Sequence, residues 1–237
     1  MALVFNVANS SYVAPISKQL TSNWISIGAV APELPNNLVG FVQSFEIKAH
    51  LAARQPSRAL DLIRRAWGWY LNNPDGTAST CIEGYLADGT FGYRATTGYA
   101  NDYSYTSHAH GWGTGPTDAL TSYVVGMTLI QPAGSEWQLS PQFGDLTSAE
   151  GGFTTPLGQF SASWTLEDCA YSLDWDTPEG TTGTVILSVP QNAAGQAPKV
   201  VVDGGQDAKV IASGWEPSAG TLTIQGAGGK HSLKVTY

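Results

Sequence analysis

The chain has 237 residues, of which 42% are hydrophobic and 13% charged, and it carries a formal net charge of −8 with a pI near 4.8. That length suits one large domain or two modest ones, and the apolar content excludes a disordered tail. The acidic balance argues against nucleic acid and anionic membrane surfaces, both of which need clustered Lys and Arg. No run approaches the ~20 apolar residues of a membrane span. The opening MALVFNVANSSYVAP has no basic stretch and too short an apolar run for a signal peptide, so Met1 reads as an internal methionine or a start. Low charge with 27 Gly, 8 Trp and 10 Tyr fits a secreted, carbohydrate-facing protein.

In chain order, residues 11–27 read as a helix with Val13, Ile16, Leu20 and Trp24 on one stripe, Ser11 as N-cap and Pro15 in the first turn. Two prolines and two asparagines in AVAPELPNN make a connection. A second helix runs from about Leu38 to Ala53, its stripe formed by Phe41, Phe45, Ala49 and Ala52; Pro56 ends it. Ser57 caps a third, with Leu60, Ile63, Trp67 and Tyr70 at helical spacing, stopped by Asn72-Asn73-Pro74-Asp75-Gly76. A fourth, TDALTSYVVGM, starts near Thr117. Helices alternating with short breaks pair as αα-hairpins.

From about Gln131 the period changes. EWQLSPQ, GQFSASWTL, AYSLDW, GTTGTVILSVP, PKVVVDG, DAKVIASGW, TLTIQG and HSLKVTY are short β-rich runs divided by Gly, Pro and Asp, the pattern of an all-β sandwich. Gly226 to Gly229 read as a hairpin turn. The boundary falls near residues 128–135. Two isolated cysteines, Cys81 and Cys169, read as buried thiols rather than a bridge.

Between the third and fourth helices lies STCIEGYLADGTFGYRATTGYANDYSYTSHAHGWGTG, Ser79 to Gly115. It has no helical or strand period, yet holds Glu83, His108, His110 and Trp112 among Tyr85, Phe91, Tyr93, Tyr99, Tyr103 and Tyr105. A loop this long inside a domain is functional or disordered, and disordered segments are poor in aromatics. Rings around one acid and two imidazoles suit a pocket for a sugar; the alternative is an aromatic plug on a helical domain. His108-x-His110 has no third ligand at zinc spacing. Asp88 and Asp102 fit turn caps, and Glu150 a structural place in the first strands. Nucleophile-elbow, P-loop and dinucleotide motifs are missing, so the sequence implies no cofactor.

Three stretches carry a resemblance: RALDLIRRAWGWYLNN…STCIEGYLADGTFGY, SYTSHAHGWGTGPTDALTSYVVGM and SPQFGDLTSAEGGFTTPLGQFSASW. They resemble the C-terminal third of α-L-rhamnosidases of glycoside hydrolase family 78, in their fungal form, over most of residues 10–190. The resemblance implies an α-then-all-β fold. Residues 1–130 would form part of an (α/α)6 six-hairpin barrel and residues 131–237 a C-terminal β-sandwich. It also implies secretion and inverting hydrolysis of terminal α-L-rhamnosyl bonds in a rhamnose-containing glycan. Glu83 in CIEGY matches the family's general base, and His110 in HGW its sugar-pocket histidine. Trp112 lies beside His110; Tyr85, Tyr103, Tyr105 and His108 would complete the substrate-binding wall.

The family's general acid comes from earlier in the barrel, and nothing in this chain matches it. The missing N-terminal barrel segment is therefore an expected partner. Without it, the faces carrying Phe41, Phe45, Trp67 and Tyr70 should be left partly bare. The competing functional reading is a carbohydrate-binding module, or an inactive fragment, that holds rhamnosyl glycans without cleaving them.

Overall fold

The α-helices all lie before residue 120 and the long strands after it, with only short strands among the helices. The computed structural model describes residues 1–188, 198–203, 209–211, 215–216 and 220–237. Parts of the runs at 180–190, 198–204 and 207–215 lie outside the described residues. The chain divides into two compact units, Met1–Ala119 and Leu120–Tyr237.

The first unit contains α1 (Ser10–Leu20), β1 (Trp24–Ile25), β2 (Gly28–Ala29), β3 (Asn37–Val39), α2 (Gly40–Ala52) and α3 (Pro56–Ile63). The α3 helix widens into a π-turn at 64–68 and closes as α4 (Trp69–Leu71); β4 (Gly84–Leu86) and α5 (Gly115–Ala119) follow. All four expected helical segments are present, with different ends. Asn9, not Ser11, caps α1: its side chain accepts the Ser11 N–H at 3.0 Å. Pro15 thus falls in the helix interior rather than in the first turn. Pro56 is the first helical residue of α3, where its missing N–H costs nothing, and Gln55 occupies the cap.

The central helix, α2, is flanked by α1, α3 and α5. Its buried face is not the Phe41–Phe45 stripe; it contains Gln43, Glu46 and His50 beside Ile47 and Leu51. Burying polar groups is tolerable where each finds a partner. Gln43 Oε1 accepts the Ala29 N–H at 2.9 Å, Glu46 Oε1 accepts the Trp24 indole N–H, and His50 Nδ1 lies 2.8 Å from Ser17 Oγ. Arg58 donates to the same Ser17 oxygen at 3.0 Å, so one hydroxyl links α1, α2 and α3. Phe41 and Phe45 instead pack edge-to-face, half-exposed, along a groove of about 260 Å³ that Leu20, Val30, Val42 and Ala49 also line. Trp67 and Tyr70, expected on a bare face, are buried within this unit.

The second unit opens with a π-turn at 120–125 in place of the rest of the fourth helix. Then come β5 (Met127–Leu129), β6 (Glu136–Leu139), β7 (Ser148–Thr155), β8 (Gly158–Glu167), β9 (Ala170–Ser188), β10 (Lys199–Val202), β11 (Lys209–Ile211), β12 (Trp215–Glu216) and β13 (Thr221–Thr236). Among the described residues all nine belong to one hydrogen-bonded sheet, rather than two separate ones.

Its spine is the antiparallel pair β9–β13, which runs from Thr221↔Ser188 to Thr236↔Ala170. AYSLDW and GTTGTVILS are thus one strand, as are TLTIQG and HSLKVTY. Gly226–Gly229 is no hairpin turn. The ladder passes through it with a register shift between Ala227 and Gly229. Gly226 and its cross-strand partner Gly183 serve Trp137: a Cβ on Gly183 would sit 2.2 Å, and one on Gly226 2.7 Å, from the indole of that fully buried residue. The chain as described is therefore mostly β with a few helices.

Candidate functional site

The loop from 79 to 115 is organised by backbone pairing between two of its segments. Glu83 N–H donates to Ser107 O at 2.8 Å, and His110 N–H donates to Cys81 O at 2.7 Å. The Thr80 hydroxyl donates to His108 O. The strand β4 that follows pairs with β3 through Asn37↔Leu86, Leu38↔Tyr85 and Val39↔Gly84. Gly84 is needed there, because a Cβ would lie 2.5 Å from the Tyr93 ring. Glu83 is therefore mounted at the start of a strand anchored to the core cluster of Leu38, Tyr70, Ile82 and Tyr85.

The Glu83 carboxylate is half-buried and receives two hydrogen bonds, one on each oxygen. The Tyr99 hydroxyl donates to Oε1 at 2.8 Å and the Ser107 N–H to Oε2 at 3.2 Å. This contact, followed by burial and by the Glu83 charge, holds the Tyr99 phenol above its ordinary pKa. Burial and then the same charge push Tyr93 up. A carboxylate bonded in this way keeps a lone pair on each oxygen free to accept a proton or a water.

The expected binding residues are placed in three ways. His108 and His110 sit on the segment paired to residues 80–83, with the His108 ring 5.3 Å from Phe91. Trp112, Tyr103 and Tyr105 are exposed, at 68%, 51% and 65%. Trp112 rests on Phe41 at 4.9 Å, and Tyr105 lies 5.8 Å from Tyr99. Tyr85 is turned into the core, its hydroxyl donating to Ile27 O at 2.6 Å and its ring tilted against Trp69. It offers no face to a ligand on the surface.

Asp88 and Asp102 are turn caps, as their residue type suggests. Asp88 Oδ1 accepts from the N–H and hydroxyl of Thr90, and Asp102 Oδ1 from those of Ser104. These bonds hold both carboxyls below the usual range. Glu150 is exposed on β7, opposite Ser163. Both cysteines are free thiols, but neither is buried as expected: Cys81 is half-buried and Cys169 exposed. Among the described residues, no group of three or more His, Cys, Asp or Glu could hold a metal.

Residues 126–201 match the family model of the bacterial α-L-rhamnosidase C-terminal domain. The chain is similar in fold to three solved α-L-rhamnosidases. For that of Dictyoglumus thermophilum the TM-score is 0.69 at 16% identity, covering 100% of this chain and 24% of that one. For the Streptomyces avermitilis enzyme complexed with L-rhamnose the values are 0.62 and 15%, over 82% and 17% of the two chains. For the native enzyme of Aspergillus terreus they are 0.56 and 17%, over 91% and 21%. The chain thus spans a quarter or less of the length of these proteins. A search of curated proteins finds no match.

Proposed function

We propose that this chain is the C-terminal part of a glycoside hydrolase of α-L-rhamnosidase type, with Glu83 as the general base. The observation that carries this reading is the Glu83 carboxylate, fixed by one donor on each oxygen within a loop bearing exposed Trp112, Tyr103 and Tyr105. The match over residues 126–201 and the likeness in fold support it.

In this reading a rhamnosyl ring stacks on the exposed aromatics, and His110 and His108 donate to its hydroxyls. Glu83 takes a proton from a water as that water attacks the anomeric carbon from the face opposite the leaving group, which inverts the configuration. The leaving oxygen takes its proton from a carboxylic acid in a preceding barrel segment, roughly 6.5–9.5 Å from Glu83, the spacing that admits the water. Residues 1–130 would be the last hairpins of that barrel, and residues 131–237 its accessory β domain.

Glu83→Gln removes the base and keeps the shape. The expected outcome is loss of hydrolysis of an aryl α-L-rhamnoside, by 10²-fold or more on the order of one acid–base group, with L-rhamnose binding retained in calorimetry. Retained hydrolysis would sink the assignment. The second reading, a rhamnosyl-binding module without cleavage, is favoured by the exposure of Trp112 and Tyr105. It predicts ligand binding that is lost with Trp112→Ala and insensitive to Glu83→Gln, and no hydrolysis by any form of the protein.

A further inference from the structure

The turn between Gly92 and Asp102 holds three non-glycine residues in the left-handed region: Arg94 at φ 53°, Ala100 at 51° and Asn101 at 59°. Asparagine tolerates that conformation, but arginine and alanine carry a Cβ that crowds the following carbonyl. Such strain persists only where the surroundings over-determine it, and it gathers at functional sites. Here the surroundings are a dense set of backbone bonds. Thr97 and Tyr99 N–H both donate to Arg94 O at 3.0 and 3.1 Å, Asn101 N–H to Ala95 O at 2.7 Å, and Asp102 N–H to Tyr99 O at 2.8 Å. The Arg94 N–H donates to the Asn37 side chain at 2.9 Å, which fastens the turn to β3.

The strained turn delivers one side chain to the site. The Tyr99 ring lies between the Arg94 guanidinium, 5.4 Å from its centroid, and the rings of Tyr93 at 6.0 Å and Tyr105 at 5.8 Å. Its hydroxyl ends on Glu83 Oε1. A glutamate held only by the Ser107 N–H could still swing about its side-chain torsions; a second bond on the other oxygen fixes the plane of the carboxylate.

We infer that Tyr99 is the positioning residue for Glu83, locked in place by the left-handed turn at 94–101 so that the carboxylate presents one fixed orientation to a water. This rests on the reading of Glu83 as the base. The phenol is protonated throughout the neutral range at its ordinary pKa, and Glu83 raises that value further, so the hydroxyl remains a donor.

The contact is tested in the full chain by carbon NMR with labelled tyrosine and glutamate. In Glu83→Gln, Tyr99 should titrate at lower pH than in the parent. In Tyr99→Phe, the Glu83 side chain should lose order on the fast timescale and sample more than one rotamer, with the fold unchanged. Ala100→Gly, which relieves the strain without touching either side chain, should give a partial loss of that order; Tyr105→Phe should give none. A Tyr99 titration unmoved by Glu83→Gln overturns the inference, as does a Glu83 side chain equally ordered in Tyr99→Phe. Hydrolysis by Glu83→Gln is read separately and decides the base assignment, so failure of that assignment is distinguishable from failure of the lock.

Discussion

His231 shows what one side chain can do where a neighbouring strand ends, since its partner Asp203 directly follows β10. Its Nδ1–H donates to Asp203 Oδ2 at 2.8 Å and Nε2 lies 3.2 Å from Gly228 O, while Asp203 Oδ1 accepts the Ser232 N–H at 2.9 Å. Two acceptors favour the imidazolium. The Asp203 bond first, and the Gly228 carbonyl after it, raise the His231 pKa above its ordinary 6.5 against the effect of burial. Asp203 is drawn below 3.8; burial opposes this, and the bonds from His231 and Ser232 outweigh it. A raised histidine stabilises fully below 6.5 and loses that contribution as pH climbs through its folded value. A lowered aspartate stabilises above 3.8 and loses its contribution as pH falls. The pair should therefore contribute most between about pH 4 and 6.5, by no more than about 1 kcal/mol at a site this exposed. Urea midpoints of the parent and His231→Gln should differ most in that window and converge toward pH 8 or above; a difference that grows with pH would contradict the pairing. At this scale the sequence was legible where chemistry is local. Asp88 and Asp102 cap turns because each precedes a Thr or Ser by two residues. Tyr99 was not legible as Glu83's partner, because one tyrosine in a loop holding five looks like the next.

The helical elements were legible in position but not in orientation. Apolar spacing located α2, yet of its stripe Phe41, Phe45, Ala49 and Ala52 only Ala49 is buried, while the polar Gln43, Glu46 and His50 face inward. Periodicity assumes that polar groups face water, and it cannot see the partners that Trp24, Ala29 and Ser17 provide. The strands failed differently. SAEGGFTT, now β7, lacks the β-branched run that marks a strand, and it pairs with β8 along its length regardless. Gly226 looked like a turn residue, but with Gly183 it forms the slot for Trp137, whose indole N–H donates to Thr181 Oγ1 at 3.1 Å. Gly183→Ala should therefore destabilise by about 1–3 kcal/mol or more, the cost of overpacking. Trp137→Ala should cost about 3–5 kcal/mol through the cavity it leaves. Denaturant unfolding followed by circular dichroism measures both. If Gly183→Ala were neutral, Trp137 would not be packed on that strand.

For the molecule as a whole, the order of helices then strands was readable from the change of period alone, whereas the single continuous sheet was not, because strand merging depends on pairing partners distant in sequence. The chain spans a quarter or less of the rhamnosidases it resembles, and Asp88 and Asp102 are engaged as turn caps. On the proposed reading the acid lies in a preceding segment, so the isolated 237-residue chain is expected to give no measurable hydrolysis of an alkyl α-L-rhamnoside, whose leaving oxygen must be protonated by a group worth about 10²–10⁴ in rate. Turnover of such a substrate would require an acid within this chain, with Asp88→Asn and Asp102→Asn the first variants to assay. The pairing of β9 with β13 has a further consequence during synthesis on the ribosome. β10, β12 and most of β9 find a partner in β13, which follows all three in the chain. Until it emerges, β9 presents an open edge to neighbouring nascent chains. Slowing translation ahead of codon 221 should lengthen that exposure and increase reliance on chaperones.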